Sequence, residues 1–269
     1  MSGMEWFELE FIDWDSFLNR ENLRNQIKDD LKEHNPLKGD PLISIECFDP
    51  PMGNQEIWAA GVTYMRSKEE RKKESKDSGG AQFYDKVYDA ARPEIFFKAS
   101  AARTVGSGSD IHIRKDSDWN VPEPELALFI TSTGSVEGYS IGNDMSSRSI
   151  EGENPLYLPQ AKTYDKCAGL GPCLYVPESP ISLDTEIDIN ISRNDHSIFE
   201  GRTTINKMKR TFNEIIHYLF LECSFPNGCY LMTGTGVVPP EDITLEVSDK
   251  IQIRIEGIGE LVNTVNIKP

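Results

Sequence analysis

Three carboxylate side chains stand out as groups that could do chemistry together. Glu123 and Glu125 lie two residues apart in WNVPEPELALFI, Trp119–Ile130, a run with the character of a strand. Because side chains i and i+2 of a strand point to the same face, we expect both carboxylates to project together at the mouth of a buried apolar run. Two negative charges there repel each other, and a hard cation such as Mg²⁺ or Mn²⁺ would remove that cost.

A third carboxylate follows in the next predicted strand. Gly138–Asp144 reads as the antiparallel partner of the first strand, and the turn-like segment Thr131–Ser135 separates the two. Folding this hairpin back brings Asp144 close to Glu123 and Glu125. The sequence therefore predicts a divalent-cation site with open positions for water and substrate. The alternative is an exposed strand whose acidic residues face water, which is the usual place of a lone Glu-x-Glu.

Length, charge and cysteine content bound the class of protein. The 269 residues suit one large or two small domains with a sizeable core. The formal net charge of −16 argues against nucleic acid and anionic membranes as partners, and no apolar run approaches the length of a membrane span. An acidic N-terminus and five cysteines without a Cys-x-x-Cys pair predict reduced thiols in the cytoplasm. Cys167, near the predicted site, is either a nucleophile or, as we expect, a small buried apolar residue.

The chain divides at Pro50-Pro51 into two parts. We expect residues 1–52 to form a small N-terminal region and residues 53–269 to form a larger domain. In the first part, Asp15–Glu33 has the apolar periodicity of one amphipathic helix. Leu42–Phe48 reads as a strand.

The larger part is rich in strands and has one long helix. Met208–Leu221 places its apolar side chains on one side, as an amphipathic helix does. Alternating or β-branched runs predict strands at Ile187–Ser192, Ile251–Ile255 and Leu261–Ile267. Many strands with few helices indicate the α+β class.

Four motifs follow one another along this part of the chain: PEPEL at Pro122–Leu126, IGNDMSSR at Ile141–Arg148, ENPLYLPQAK at Glu153–Lys162 and MTGTG at Met232–Gly236. Together they resemble the fumarylacetoacetate hydrolase superfamily. YDKVYDAARPEIFFKA, at Tyr84–Ala99, makes the resemblance closest to the 2-keto-3-deoxy-D-arabinonate dehydratases of that superfamily. The resemblance covers Trp58 to Pro239, and the order of the motifs makes it more specific than any single motif.

This resemblance implies a fold and an assembly. The superfamily has a mixed β-roll core with a few helices, so the α+β class would take this form, with the smaller N-terminal region beside it. Members are usually dimers or dimer-built tetramers, which implies a homodimer or a homotetramer for this chain.

The resemblance also implies a metal-binding set. Glu123, Glu125 and Asp144 would hold Mg²⁺, with Mn²⁺ as the alternative. Arg148 would lie behind these carboxylates and support them, as metal sites commonly require.

Five further residues receive roles through the resemblance. Glu94 and Lys162 would share the acid and base work, with no indication of which one takes the substrate proton. Arg66, Gln160 and Thr235 would bind the substrate, Thr235 as part of a small-residue loop that holds its carboxylate.

The charged run Ser67–Ser78 separates two chemistries. Its charges read as a solvated helix face, and the resemblance implies a mobile lid over the site. Hydrolases of the superfamily carry a His after the Tyr-containing strand, whereas Tyr64 is followed here by Met65–Glu70 and the lid has no His. The four histidines lie elsewhere, at His34, His112, His196 and His217. Hydrolysis without this base loses its water activator, which favours dehydration.

The resemblance thus implies metal-dependent dehydration of a small 2-keto acid, 2-keto-3-deoxy-D-arabinonate, to 2,5-dioxopentanoate through a metal-stabilised enolate. The substrate's carboxylate and ketone can chelate a metal together, and the C4 hydroxyl is β to the ketone, where an enolate can expel it. The alternatives are an acylpyruvate hydrolase or an oxaloacetate decarboxylase or tautomerase of the same superfamily. A non-catalytic, metal-stabilised binding protein is the alternative outside enzymes.

Overall fold

The computed structural model of the chain describes residues 5–10, 13–39, 41, 46–65 and 86–269. Arg66, the predicted lid at Ser67–Ser78 and the first four residues of the predicted strand Leu42–Phe48 lie outside these residues. The helices are α1 (Trp14–Leu18), α2 (Leu23–Asp30), α3 (Arg148–Glu153), α4 (Leu158–Lys162) and α5 (Phe212–Phe220). The strands are β1 (Glu56–Gly61), β2 (Glu94–Ala99), β3 (Thr104–Val105), β4 (Asp110–Ile113), β5 (Asn120–Val121), β6 (Pro124–Ile130), β7 (Val136–Asp144), β8 (Ser146–Ser147), β9 (Ala168–Tyr175), β10 (Glu186–Arg193), β11 (His196–Thr204), β12 (Cys229–Met232), β13 (Lys250–Ile255) and β14 (Gly259–Ile267).

Two sheets of mixed direction contain most of these strands. The first has the order β2-β1-β12-β6-β7-β9-β3, and the second has the order β11-β10-β13-β14-β4. The pairs β1–β12, β3–β9 and β4–β14 are parallel, and the other pairs within these sheets are antiparallel. The three strands predicted near the C-terminus are β10, β13 and β14, which are neighbours in the second sheet. The α+β class predicted from the sequence is confirmed.

Both faces of the first sheet are covered where β6 lies. Leu126, Leu128 and Ile130 belong to a core that they share with apolar residues of the second sheet. Ala127 and Phe129 belong to a second core on the opposite face. A strand buried on both faces keeps no polar face, which explains the unbroken apolar run after Glu125.

The prediction of a single helix over Asp15–Glu33 is wrong, because the structure has two. α1 ends at Leu18 and α2 begins at Leu23, because Asn22 between them adopts a φ of 54°. This is the left-handed region, which asparagine tolerates better than most residues. The break places both leucines in the second core, at 1% and 0% exposure, although residues five apart on one straight helix do not share a face.

The long helix predicted over Met208–Leu221 begins later than expected. The Thr211 hydroxyl accepts a hydrogen bond from the Glu214 N–H at 3.2 Å and caps the first turn of α5. Met208, where the predicted helix begins, instead follows a 3₁₀ turn at Ile205–Lys207 and forms an isolated antiparallel bridge with Tyr64. None of the described helices is long and apolar enough to cross a membrane.

The described N-terminal residues pack on the first sheet. Leu18 and Leu23 share the second core with Phe129. The Glu137 carboxylate of β7 accepts hydrogen bonds from the N–H groups of Asn22 at 3.2 Å and Leu23 at 2.9 Å. A carboxylate at this end of a helix also complements the helix dipole. The predicted boundary between residues 1–52 and 53–269 stays a prediction.

Candidate active site

The three predicted metal-binding carboxylates meet at the end of the β6–β7 hairpin. Glu123 immediately precedes β6, Glu125 is the second residue of β6, and Asp144 ends β7. The Asp144 N–H donates to the Glu123 carbonyl at 3.0 Å. One carboxylate oxygen from each residue lies within 4.8 Å of the other two, and the residues are 5%, 2% and 1% exposed. The hairpin therefore brings the carboxylates together as its sequence predicts, and it buries them.

Electrostatics favour a cation among these carboxylates. Burial raises the pKa of Glu125 well above its ordinary value, and the charges of Asp144 and Glu123 raise it further. The Lys162 ammonium and the Gly234 N–H lower this pKa in part. A divalent cation would offset both the burial and the repulsion. These residues therefore fit Mg²⁺, and their oxygen ligands also suit Mn²⁺.

Lys162, the last residue of α4, is buried among the carboxylates and is 0% exposed. Its Nζ lies 2.7 Å from Glu123 Oε2, 3.1 Å from Asp144 Oδ2 and 3.4 Å from Glu151 Oε1. The same Nζ donates a hydrogen bond to Ser146 Oγ. The structure thus brings this lysine into the predicted site and away from the surface.

A second buried lysine, Lys98 of β2, lies on the other oxygen of Asp144. Its Nζ is 2.7 Å from Asp144 Oδ1. It also donates to the carbonyl of Met145, at 2.8 Å, and to the carbonyl of Lys162. Lys98 therefore ties β2 to the end of β7 and to the end of α4.

Arg148, predicted to support the carboxylates, begins α3 and is 2% exposed. Its Nη2 lies 2.7 Å from Glu123 Oε1, and its Nε lies 3.9 Å from Glu151 Oε2. The Ser147 hydroxyl caps α3 by accepting a hydrogen bond from a backbone N–H of the first turn, at 3.3 Å. Arg148 and Lys162 together hold both oxygens of Glu123.

Glu94, the second predicted acid–base residue, is half-buried at the start of β2 beside Gly61. A Cβ at Gly61 would come within 2.3 Å of Glu94 Oε2, so the glycine leaves room for this side chain. Gly61 also lines the pocket that contains the carboxylates and Lys162. Glu94 therefore packs against Gly61 of the pocket wall but does not itself line the pocket.

The predicted substrate loop, Thr233–Gly236, closes one side of the pocket. The Gly234 N–H donates to Glu125 Oε2 at 2.5 Å. Gly234 has a φ of 94°, and a Cβ there would lie 2.0 Å from Thr63 Oγ1, so glycine alone suits this position. Thr235 lines the pocket, and its hydroxyl donates to a backbone carbonyl two residues on, at 2.9 Å.

The other two predicted substrate-binding residues, Gln160 and Arg66, have no described contact with the pocket for different reasons. Gln160 is exposed on α4 and does not line the pocket; its carbonyl accepts a hydrogen bond from Arg114 Nη1 at 3.0 Å. Arg66 lies outside the described residues. Both roles stay predictions.

The sequence reasoning also concerned histidines and Cys167. None of the four histidines, all within the described residues, lines the pocket. Cys167 is fully buried, as expected of a small apolar residue, and its Sγ lies 3.7 Å from the Lys98 carbonyl.

Sequence reasoning assigned no role in the site to three residues near the pocket, namely Lys98, Glu151 and Tyr64. Lys98 is a lysine in an aromatic strand, which is an unusual composition and could have marked it. Glu151 follows Arg148 at i+3, a spacing that places both on one side of a helix. Tyr64 is buried, and burial together with the charge of Glu125 raises the pKa of its hydroxyl.

Comparison with known proteins agrees with the resemblance that the motifs indicate. Residues 56–266 match the family described as Fumarylacetoacetate (FAA) hydrolase C-terminal. A protein of Haloferax volcanii named "Probable 2-keto-3-deoxyxylonate dehydratase" is 46% identical over 218 residues, which are 80% of this chain and 73% of that protein. A 2-dehydro-3-deoxy-D-arabinonate dehydratase of Saccharolobus solfataricus is 43% identical over 222 residues, 81% of this chain and 72% of that protein.

Solved structures agree with these matches. The structure of 2-keto-3-deoxy-D-arabinonate dehydratase complexed with magnesium and 2,5-dioxopentanoate is 34% identical to this chain. It matches with a TM-score of 0.82 over 97% of this chain and 91% of that one. The resemblance read from the motifs is therefore confirmed, and the chain belongs to the fumarylacetoacetate hydrolase family.

Proposed function

We propose that this chain is a magnesium-dependent hydro-lyase that dehydrates 2-keto-3-deoxy-D-arabinonate to 2,5-dioxopentanoate. The observation that carries the proposal is the buried group of Glu123, Glu125 and Asp144 with the Lys162 amine among them, in one pocket. The similarity to two dehydratases of 2-keto-3-deoxy pentonates supports this choice of substrate. Once C2 is a ketone and C3 a methylene, a xylonate and an arabinonate of the same series become one compound.

The three carboxylates would hold Mg²⁺. When bound, the metal supplies a Lewis acid that polarises the 2-keto group of the substrate. Arg148, Lys98 and the Gly234 N–H orient the carboxylate oxygens from behind, as partners of metal ligands commonly do.

Lys162 and Glu94 are the groups that we propose for the proton transfers. The C3–H bond gives up its proton, the C4–O bond breaks, and the C4 hydroxyl takes a proton and leaves as water. The remaining 5-hydroxy-3-ene-2-keto acid loses a proton from C5 and gains one at C3, which gives an enol with a C4–C5 double bond. Loss of the proton on the enol oxygen and protonation at C4 then give 2,5-dioxopentanoate. Lys162 lines the pocket, and Glu94 packs against Gly61 of the pocket wall, so both residues lie at or next to the pocket.

Substrate binding by Arg66, Gln160 and Thr235 is part of the proposal. Thr235 has the most support, because it lines the pocket next to the Gly234 N–H that contacts Glu125.

A turnover assay tests the proposed function. The purified chain is given 2-keto-3-deoxy-D-arabinonate with Mg²⁺ and then with EDTA, and the aldehyde product is followed. We expect aldehyde with Mg²⁺, none with EDTA, and little with Glu125→Gln, which keeps the shape of the side chain and removes its charge. Cleavage of an acylpyruvate, or decarboxylation or tautomerisation of oxaloacetate, without any aldehyde from the pentonate would overturn the proposal in favour of the other enzymes of the superfamily.

We further propose that the chain assembles as a homodimer or homotetramer and acts in the cytoplasm. The Leu156 and Tyr157 side chains, just before α4, are 82% and 41% exposed and offer apolar surface that an assembly could cover. Light scattering after size-exclusion chromatography measures the assembly directly, and a mass of 30.3 kDa, that of one chain, would contradict it.

A further inference from the structure

Glu151 is a buried carboxylate outside the group of three. It lies on α3, is 2% exposed and does not line the pocket. Its Oε1 is 3.4 Å from Lys162 Nζ, and its Oε2 is 3.9 Å from Arg148 Nε. Each oxygen of the Glu151 carboxylate is thus paired electrostatically with a different cation.

Two further carboxylates that contact Lys162 are shared with the proposed metal. Glu123 and Asp144 lie 2.7 Å and 3.1 Å from Lys162 Nζ, and both belong to the group that fits Mg²⁺. A divalent cation would compete for the same two carboxylates and would repel the ammonium. The Ser146 hydroxyl, which also accepts from Nζ, carries no charge. Glu151 is not part of the group that fits the metal, so it can stay paired with Lys162 when the metal binds.

We propose that Glu151 is a positioning residue that keeps the Lys162 ammonium at the pocket wall when the metal is bound. The inference rests on the proposed function for what Lys162 then does, but it concerns a carboxylate that acts through Lys162 from outside the pocket. Arg148 is paired with both Glu123, at 2.7 Å, and Glu151, at 3.9 Å, so one arginine links the Glu151 carboxylate to the group of three.

Two substitutions separate charge from shape. Glu151→Gln keeps the size of the side chain and removes its charge, whereas Glu151→Asp keeps the charge on a shorter stem. The matched control is Glu153→Gln, on the same helix but exposed to solvent.

Steady-state kinetics and Mg²⁺ titration give the first test. Glu151→Gln should lower kcat by about 10- to 100-fold, as the loss of an orienting partner does, while KM and the Mg²⁺ Kd stay close to the parent values. Glu151→Asp should recover part of kcat, and Glu153→Gln should match the parent throughout. An unchanged kcat in Glu151→Gln, or an Mg²⁺ Kd that rises as far as kcat falls, would overturn the proposal.

Crystal structures of the Mg²⁺-loaded proteins give a test that does not depend on turnover. In the parent, Lys162 Nζ should keep its contact with Glu151; in Glu151→Gln, the amine should leave the pocket wall. An amine in the same place in both proteins would overturn the inference. If the chain fails to dehydrate the pentonate, these structures and the Mg²⁺ titrations still decide the role of Glu151, so the two failures can be told apart.

Discussion

At the scale of single residues, the site is a buried network of opposite charges. Its carboxylates are Glu123, Glu125, Asp144 and Glu151, and its cations are Lys98, Arg148 and Lys162. Each cation contacts a carboxylate within 2.7 Å. Removal of one member of such a network leaves its partner charged, buried and uncompensated, which costs more than the pair itself is worth.

Lys98 offers the clearest test of this argument. Lys98→Met removes the cation on Asp144 Oδ1 and leaves two buried carbonyls without its N–H donors. We expect a loss of about 3–5 kcal/mol in the free energy of unfolding. Urea denaturation measures the loss, with Lys250→Met, an exposed lysine of β13, as the control. A loss below about 1 kcal/mol, the level of a surface ion pair, would contradict the argument.

The raised pKa of Glu125 predicts how metal affinity depends on pH. Burial, Asp144 and Glu123 favour the protonated form of this carboxyl in the metal-free protein. The proton must leave before Mg²⁺ binds, so affinity should rise with pH toward the raised pKa and level off above it. Calorimetric Mg²⁺ titrations at several pH values, in buffers of different ionisation enthalpy, measure both the affinity and the proton released.

The raised pKa of Glu125 also determines whether the metal-free protein becomes more or less stable as pH rises. A carboxyl whose pKa is raised on folding stabilises the native state fully below the unfolded-state value of about 4.3 and loses that contribution as pH rises through the folded-state pKa. Thermal unfolding without metal should therefore move to lower temperature as pH rises, and Mg²⁺ should restore it. Glu125→Gln should remove this part of the pH dependence. An Mg²⁺ affinity that does not depend on pH in the parent would contradict the prediction about metal affinity.

At the scale of elements, the loop Thr233–Gly236 must approach β1 and β6 closely. Gly234→Ala would place a Cβ 2.0 Å from Thr63 Oγ1 and 2.8 Å from the Ala60 carbonyl. The loop would have to move, and the N–H that binds Glu125 would move with it. We therefore expect lower stability and weaker Mg²⁺ binding together.

Gly257→Ala is the matched control for this prediction. Gly257 also has a positive φ, 83°, but nothing lies within 4 Å of a Cβ built there. It should share the backbone strain of Gly234→Ala, of order 1–2 kcal/mol, and leave Mg²⁺ binding unchanged. Equal Mg²⁺ affinities in the two variants would show that the close approach of the loop does not matter for the site.

Local patterns predicted the elements that carry the carboxylates but not the buried lysine, Lys98, that contacts Asp144. The spacing of Glu123 and Glu125 and the hairpin turn are local features, so the meeting of both residues with Asp144 follows from the sequence. Lys98 lies 46 residues before Asp144 along the chain, and no periodicity joins the two. The break in the N-terminal helix likewise depends on the left-handed conformation of one residue, Asn22, which apolar periodicity cannot predict.

At the scale of the whole molecule, the class could be predicted and the sheet order could not. Strand propensity and alternation located β10, β13 and β14. Strand propensity and alternation could not predict the parallel pairing of β1 with β12. Trp58 and its partner Leu231 are far apart in sequence, and several other apolar strands could pair equally well with either one. That parallel pair places β1, with Gly61, beside the strand that leads into the Thr233–Gly236 loop, so the pocket depends on long-range pairing.

The same long-range packing predicts that the chain unfolds as one unit. Leu23 is fully buried in the core that also holds Ala127 and Phe129 of β6, the strand that carries Glu125. Leu23→Ala should therefore lower the free energy of unfolding of the entire chain by about 2–5 kcal/mol. Urea unfolding followed both by circular dichroism and by loss of Mg²⁺ binding should give coincident curves, and Leu221→Ala, at a 48% exposed leucine, should leave them unchanged. Two separate transitions in Leu23→Ala, with Mg²⁺ binding lost only in the second, would instead make the first 52 residues an independent unit, as the predicted boundary has it.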